Sequence, residues 1–141
     1  MSPRGRLQPD PVRNEWRAEV PATLEAIDRF CRAFQFWRAD TCARLDSFSA
    51  ELLIREALTN SVIHGCAGNR RKRISCILRV KPGRLLIAIQ DGGGGFDWRS
   101  VWGRRSNASD TRGRGLEILN RYATSVRFSS AGNSVIVVKQ F

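Results

Sequence analysis

A length of 141 residues allows one domain with a proper core and leaves no room for a second sensor or dimerisation module. Hydrophobic residues at 42% and charged ones at 26% are ordinary for a globular protein, and no run approaches the ~20 apolar residues of a membrane span. A formal net charge of +11 attracts anions, which leaves nucleotide, an acidic protein or nucleic acid as partners without choosing among them.

Residues 1–14 are rich in proline and arginine and show no period, so they read as a mobile tail before a domain over 15–141. The apolar region of a secretory signal is absent there, and a cytoplasmic protein is expected. Trp16, Ala18 and Val20 alternate with Arg17 and Glu19, the pattern of a short strand stopped by Pro21. From Ala22 to Ala39 the apolar positions Leu24, Ile27, Phe30, Cys31, Phe34 and Trp37 recur at spacings of three and four, which predicts an amphipathic helix. Its aromatic stripe reads as core, with part of the face at Phe30, Phe34, Phe36 and Trp37 left to contact a second copy.

A second helix is expected from Ser47, as N-cap, to His64, ended by Gly65 and Gly68. Its apolar stripe of Ala50, Leu53, Ile54, Ala57, Leu58 and Val62 leaves Glu56 and Asn60 on a neighbouring face. The run Arg70-Arg71-Lys72-Arg73 follows a Gly68-Asn69 turn and reads either as a solvated loop or as a docking patch for an acidic protein. Strands are predicted over Ile74–Val80 and Arg84–Gln90, joined by the Lys81-Pro82-Gly83 turn, with Asp91 at the end of the second. Residues 96–112 have no clean period and suit a mobile lid. A third helix opens near Gly113, and two strands around Ser125–Ser129 and Ser134–Phe141 flank an Ala131-Gly132-Asn133 turn. Helices and hairpins mixed in this order imply an α+β fold, a two-layer sandwich in which a mixed or antiparallel sheet carries helices on one face.

Four cysteines, Cys31, Cys42, Cys66 and Cys76, contain no C-x-x-C pair, and with His64 as the single histidine no zinc set can be assembled. They read as reduced, mostly buried thiols.

Three motifs stand in order along the chain. Glu56 and Asn60, with His64-Gly65 after them, form E-x-x-x-N-x-x-x-H-G; Asp91, Gly93 and Gly95 form D-x-G-x-G; Gly113, Gly115 and Leu116 form G-x-G-L. An acid and an amide four residues apart share one face of a helix, where a general base can stand beside a metal-bound phosphate. The glycine clusters let backbone approach a flat base and a charged phosphate chain, where a Cβ would intrude. In these motifs the chain resembles the gyrase/histidine-kinase ATPase superfamily, and within it the small single-domain anti-sigma-factor serine kinases of bacteria.

The resemblance implies ATP and Mg²⁺ as ligands. It implies Glu56 as the base that accepts the attacking hydroxyl's proton and Asn60 as a Mg²⁺ ligand. Asp91 would accept from the exocyclic amine of adenine, while Gly93 and Gly95 let the backbone lie against the purine. Gly113, Arg114, Gly115 and Leu116 open a helix whose free N–H groups hold phosphate oxygens, with Arg112 and Arg114 adding charge and Arg104 and Arg105 doing so from the lid. His64 reads as a helix-end residue rather than a catalytic one. The function implied is a serine kinase that phosphorylates an anti-sigma-factor antagonist and otherwise holds a sigma factor, acting as a homodimer, with no membrane or direct nucleic-acid partner. A nucleotide-binding module that captures a partner without phosphotransfer is the alternative, and the intact Glu56 and Asn60 weigh against it. A detached histidine-kinase catalytic domain lacks the phospho-accepting helical hairpin, and nucleic-acid binding lacks a base-reading motif.

Overall fold

In a computed structural model of the chain, the residues described are 14–41, 44–66, 69–91, 113–129 and 133–141. They form β1 (Glu15–Pro21), α1 (Leu24–Thr41), α2 (Ser47–Asn60) with a π-helical turn at Ser61–Gly65, β2 (Arg73–Lys81), β3 (Arg84–Asp91), α3 (Gly113–Tyr122), β4 (Ser125–Phe128) and β5 (Ser134–Gln140). The expected tail, apart from Asn14, the expected lid and Cys42 lie outside the described residues.

The five strands make one sheet in the order β1-β2-β3-β5-β4, and every neighbouring pair is antiparallel. The fold is therefore α+β with an antiparallel sheet. The β2–β3 hairpin turns at Gly83, whose φ of 73° lies in the left-handed region that a side chain resists. Alternation then sorts the side chains: Trp16, Ala18 and Val20 of β1, Ile74, Cys76 and Leu78 of β2, and Leu85, Ile87 and Ile89 of β3 share one buried cluster with the helices. Ile77, Leu86, Ala88 and Ile136 form a second buried cluster on the opposite face. β3 thus has buried side chains on both faces, which is why its sequence is almost continuously apolar from Leu85 to Ile89.

The amphipathic period of α1 is realised, and its boundaries follow its caps. Thr23 Oγ1 accepts the Ala26 N–H at 3.1 Å, so the helix starts at Leu24 rather than Ala22. Phe34 is fully buried, and Phe30 and Trp37 nearly so, with Trp16 stacked 4.9 Å from Phe30 and 5.9 Å from Trp37. The chain's own core narrows the part of α1 expected to contact a second copy. Three of the four aromatics proposed for it are occupied by the chain's own core, and Phe36 alone is exposed, at 79%.

Two expectations for α2 also change. Its N-cap is Asp46, not Ser47: the Asp46 carboxylate accepts the Ser49 N–H at 3.2 Å and the Ser49 hydroxyl as well, which holds that carboxyl below the usual range. The regular helix ends at Asn60, and the following residues widen into a π turn closed by the Cys66 N–H on Ser61 O at 2.8 Å. The apolar stripe from Ala50 to Val62 is buried as its spacing predicts. Cys31, Cys66 and Cys76 are buried free thiols, and burial pushes Cys31 up to about 11. Among the described residues no helix is long and apolar enough to cross a membrane.

Candidate functional site

α2 is held from one side by α1. Gln35 donates to Glu51 Oε1 at 2.9 Å and to Ser47 O at 3.3 Å, and Arg55 bridges Asp28 at 2.5 Å and Glu51 at 3.2 Å. Those contacts assign Ser47, Glu51 and Arg55 to the flank toward α1. Glu56 and Asn60, one turn apart, fall on the other flank, the side along which α3 packs, and both are half-buried. The sequence-predicted pair thus shares one helix face, on the flank away from α1.

The π turn that follows Asn60 packs against β3, so the C-terminal end of α2 and the strand that ends in Asp91 lie close together. A π turn leaves one residue more per turn than the α-helix it continues, and such turns recur at functional sites. No composition signal marks this one, since it differs from an α-helix only by a one-residue shift in hydrogen bonding.

Asp91 continues the helix-facing set of β3, after Leu85, Ile87 and Ile89, and is 9% exposed. Its backbone N–H donates to Asn133 O at 3.0 Å, which fixes the strand end. Among the described residues no hydrogen-bond donor reaches its carboxylate. Burial raises the Asp91 pKa from the ordinary value, and the positive charge of Lys72 opposes that shift. An acceptor that no donor among the described residues pairs offers a place for a bound amine. Lys72 is the residue that sequence reasoning missed. It was grouped with a basic run, and only the pairing of β2 with β3 brings it near Asp91. The rest of that run divides: Arg70 stands 3.8 Å from Glu25, and Arg73 opens β2.

Gly113, Arg114, Gly115 and Leu116 form the first turn of α3, a ten-residue helix anchored by the fully buried Leu119. The first N–H groups of any helix have no partner within it and carry its positive end, which suits phosphate oxygens. Gly93, Gly95, Arg112, Arg104 and Arg105 lie outside the described residues, as do the side chains of Arg114, Leu116 and His64. The described part of the site therefore consists of a carboxylate and an amide on α2, a buried carboxylate at the end of β3, and a helix N-terminus. These residues fit an adenine nucleotide, with an acceptor for its amine, amide groups for its phosphates and a side-chain oxygen for the hard cation those phosphates carry.

Comparison with curated proteins gives no match. A family model, described as the histidine kinase-like ATPase domain, matches residues 20–139, from the end of β1 to the last turns of β5. The span includes all three motifs and every element except most of β1. The chain belongs to the histidine kinase-like ATPase domain family, and ATP binding with a kinase-like function is what that membership implies for this site.

Proposed function

We propose that the protein is an ATP-dependent serine kinase and anti-sigma factor that works by partner switching: as a homodimer it holds a sigma factor, and it phosphorylates a serine on an anti-sigma-factor antagonist. The observation that carries this reading is the placement of Glu56 and Asn60 together on the α2 flank that faces α3. A module that only captured partners would need neither a base nor a cation ligand there. ATP supplies the phosphoryl group, and Mg²⁺ neutralises charge on its phosphates.

The chain's own residues do the rest. Asp91 accepts from the exocyclic amine of adenine, and it rejects guanine because the carbonyl at that position sets acceptor against acceptor. Gly93 and Gly95 leave room for the purine, and the amide groups at Gly113 to Leu116, with Arg112 and Arg114, hold phosphate oxygens. Asn60 would hold the cation through its side-chain oxygen, and the cation would supply charge neutralisation at the phosphates. Glu56 takes the proton from the serine hydroxyl as it attacks, so the alkoxide need not form free in water.

Transfer from labelled ATP to a small anti-sigma-factor antagonist domain tests the proposal. Serine phosphorylation is expected, and Glu56→Gln should lower its rate by about 10²–10⁴-fold while ATP still binds. Asn60→Ala should weaken Mg²⁺-dependent nucleotide binding as well. ATP binding with no transfer would overturn the kinase reading and leave a capture module.

A further inference from the structure

Among the described residues four large apolar side chains are exposed: Leu24, Phe36, Phe48 and Ile63. Two of them stand at one corner. α1 and α2 run antiparallel, with Arg38 donating to Leu45 O, Gln35 to Glu51 and Arg55 to Asp28. One turn before Asp28 on α1 is Leu24, 59% exposed, and after Arg55 on α2 come Thr59 and then Ile63, 56% exposed. A row at four-residue spacing drifts by about 40° per step around an α-helix. Starting from Glu51 and Arg55 on the flank toward α1, this row therefore crosses the outer crest of α2 at Thr59 and approaches the flank of Glu56 at Ile63. The basic run is tied to the same corner: the Ala22 N–H donates to Lys72 O at 3.0 Å, and Arg70 stands 3.8 Å from Glu25. Arg70 and Arg71 are both exposed.

We infer that Leu24, Thr59 and Ile63, with Arg70 and Arg71 beside them, form the surface on which an acidic protein docks to present its serine to Glu56. The inference rests on the kinase reading proposed above and names where its protein substrate binds. Two features select that occupant. A hydroxyl must come within about 3 Å of the base that takes its proton, so the protein carrying it has to cover surface next to Glu56, and the exposed apolar row leads there. Around this apolar centre the rim is basic, which suits a partner that sets an apolar side chain among carboxylates. Glu25, the acid of that rim, already faces Arg70, which leaves Arg71 to the partner. The net charge of +11 steers an acidic protein toward the chain over a longer range. A nucleic acid would use the arginines but leave Leu24 and Ile63 without a partner. Nothing in this role calls on Phe48, which is exposed at the other end of α2, about four turns from Ile63.

Transfer kinetics and calorimetric binding of a small anti-sigma-factor antagonist domain to the full chain test this with Leu24→Glu, Arg71→Glu and, as a control, Phe48→Glu. Leu24→Glu and Arg71→Glu should each raise KM for the antagonist and weaken its binding by about tenfold or more while ATP affinity stays at the parental value, and Phe48→Glu should change neither. Salt should weaken antagonist binding by the parent, and less steeply in Arg71→Glu. Antagonist binding that neither Leu24→Glu nor Arg71→Glu weakens, or that Phe48→Glu weakens equally, overturns the docking surface and leaves the kinase reading standing. A parent that binds the antagonist without transferring phosphate overturns the kinase reading, and loss of that binding in both variants then supports the surface as a capture site. A parent that does not bind the antagonist overturns both. Binding of a DNA oligonucleotide that Arg71→Glu abolishes and Leu24→Glu spares, with antagonist binding unaffected by either, would assign the corner to nucleic acid and overturn the inference.

Discussion

In the proposed function, Asp91 has two opposed effects on the protein. As a buried acid with its pKa raised by burial, it binds a proton more tightly in the folded chain than in the unfolded one. For this group alone, the stability of the empty protein rises as pH falls through that raised pKa, because the folded state gains the proton first. The same protonation removes the acceptor that adenine needs. Asp91→Asn should therefore leave the melting temperature of the empty protein unchanged or higher while weakening ATP binding by roughly tenfold or more, as expected for a lost hydrogen-bond partner worth about 1–3 kcal/mol. A melting curve and a titration calorimeter read the two effects separately. A melting temperature that falls together with unchanged affinity would assign Asp91 to structure instead. Binding by the parent should likewise fade on acidification above the ordinary carboxylate range. Asp91 was legible in the sequence as an acid that ends an apolar strand before glycines, but Lys72 beside it was not, since nineteen positions separate them and only the β2–β3 register brings them together.

At the scale of elements, α1 and α2 are held to the sheet by a core in which Phe34 touches Trp37 and no part of its surface meets water. Phe34→Ala should cost about 3–5 kcal/mol, lost burial plus the cavity left behind, with urea denaturation as the measure. A cost under about 1 kcal/mol would mean that the α1 face is not packed as described. The existence and order of these elements could be read from apolar spacing, because burial on one face imposes the period. Their ends could not. Asp46, Ser47 and Ser49 are all capping residue types, and the choice of Asp46 depends on its extended backbone, φ −63° and ψ 115°, which composition does not encode. The aromatic stripe of α1 was legible as apolar, but its partner was not. Trp16 on the edge strand packs its ring, tilted, against Phe30 and Trp37.

For the molecule as a whole, a single sheet with its helical layer on one face divides the labour between its ends and edges. The candidate site residues stand at the C-terminal end of α2, the end of β3 and the start of α3, whereas β1 forms one edge of the sheet. In the proposed function, partner switching follows if the two partners compete for surface that a transferred phosphate makes repulsive to one of them. The proposed function depends on an adenine nucleotide seated at Asp91. The most direct measurement is calorimetric titration of the full chain with ATP and with GTP in the presence of Mg²⁺. Saturable ATP binding, at least about tenfold tighter than GTP in the parent and reduced toward the GTP value in Asp91→Asn, is the predicted result. Equal affinity for the two nucleotides, or ATP binding that Asp91→Asn leaves unchanged, would contradict it.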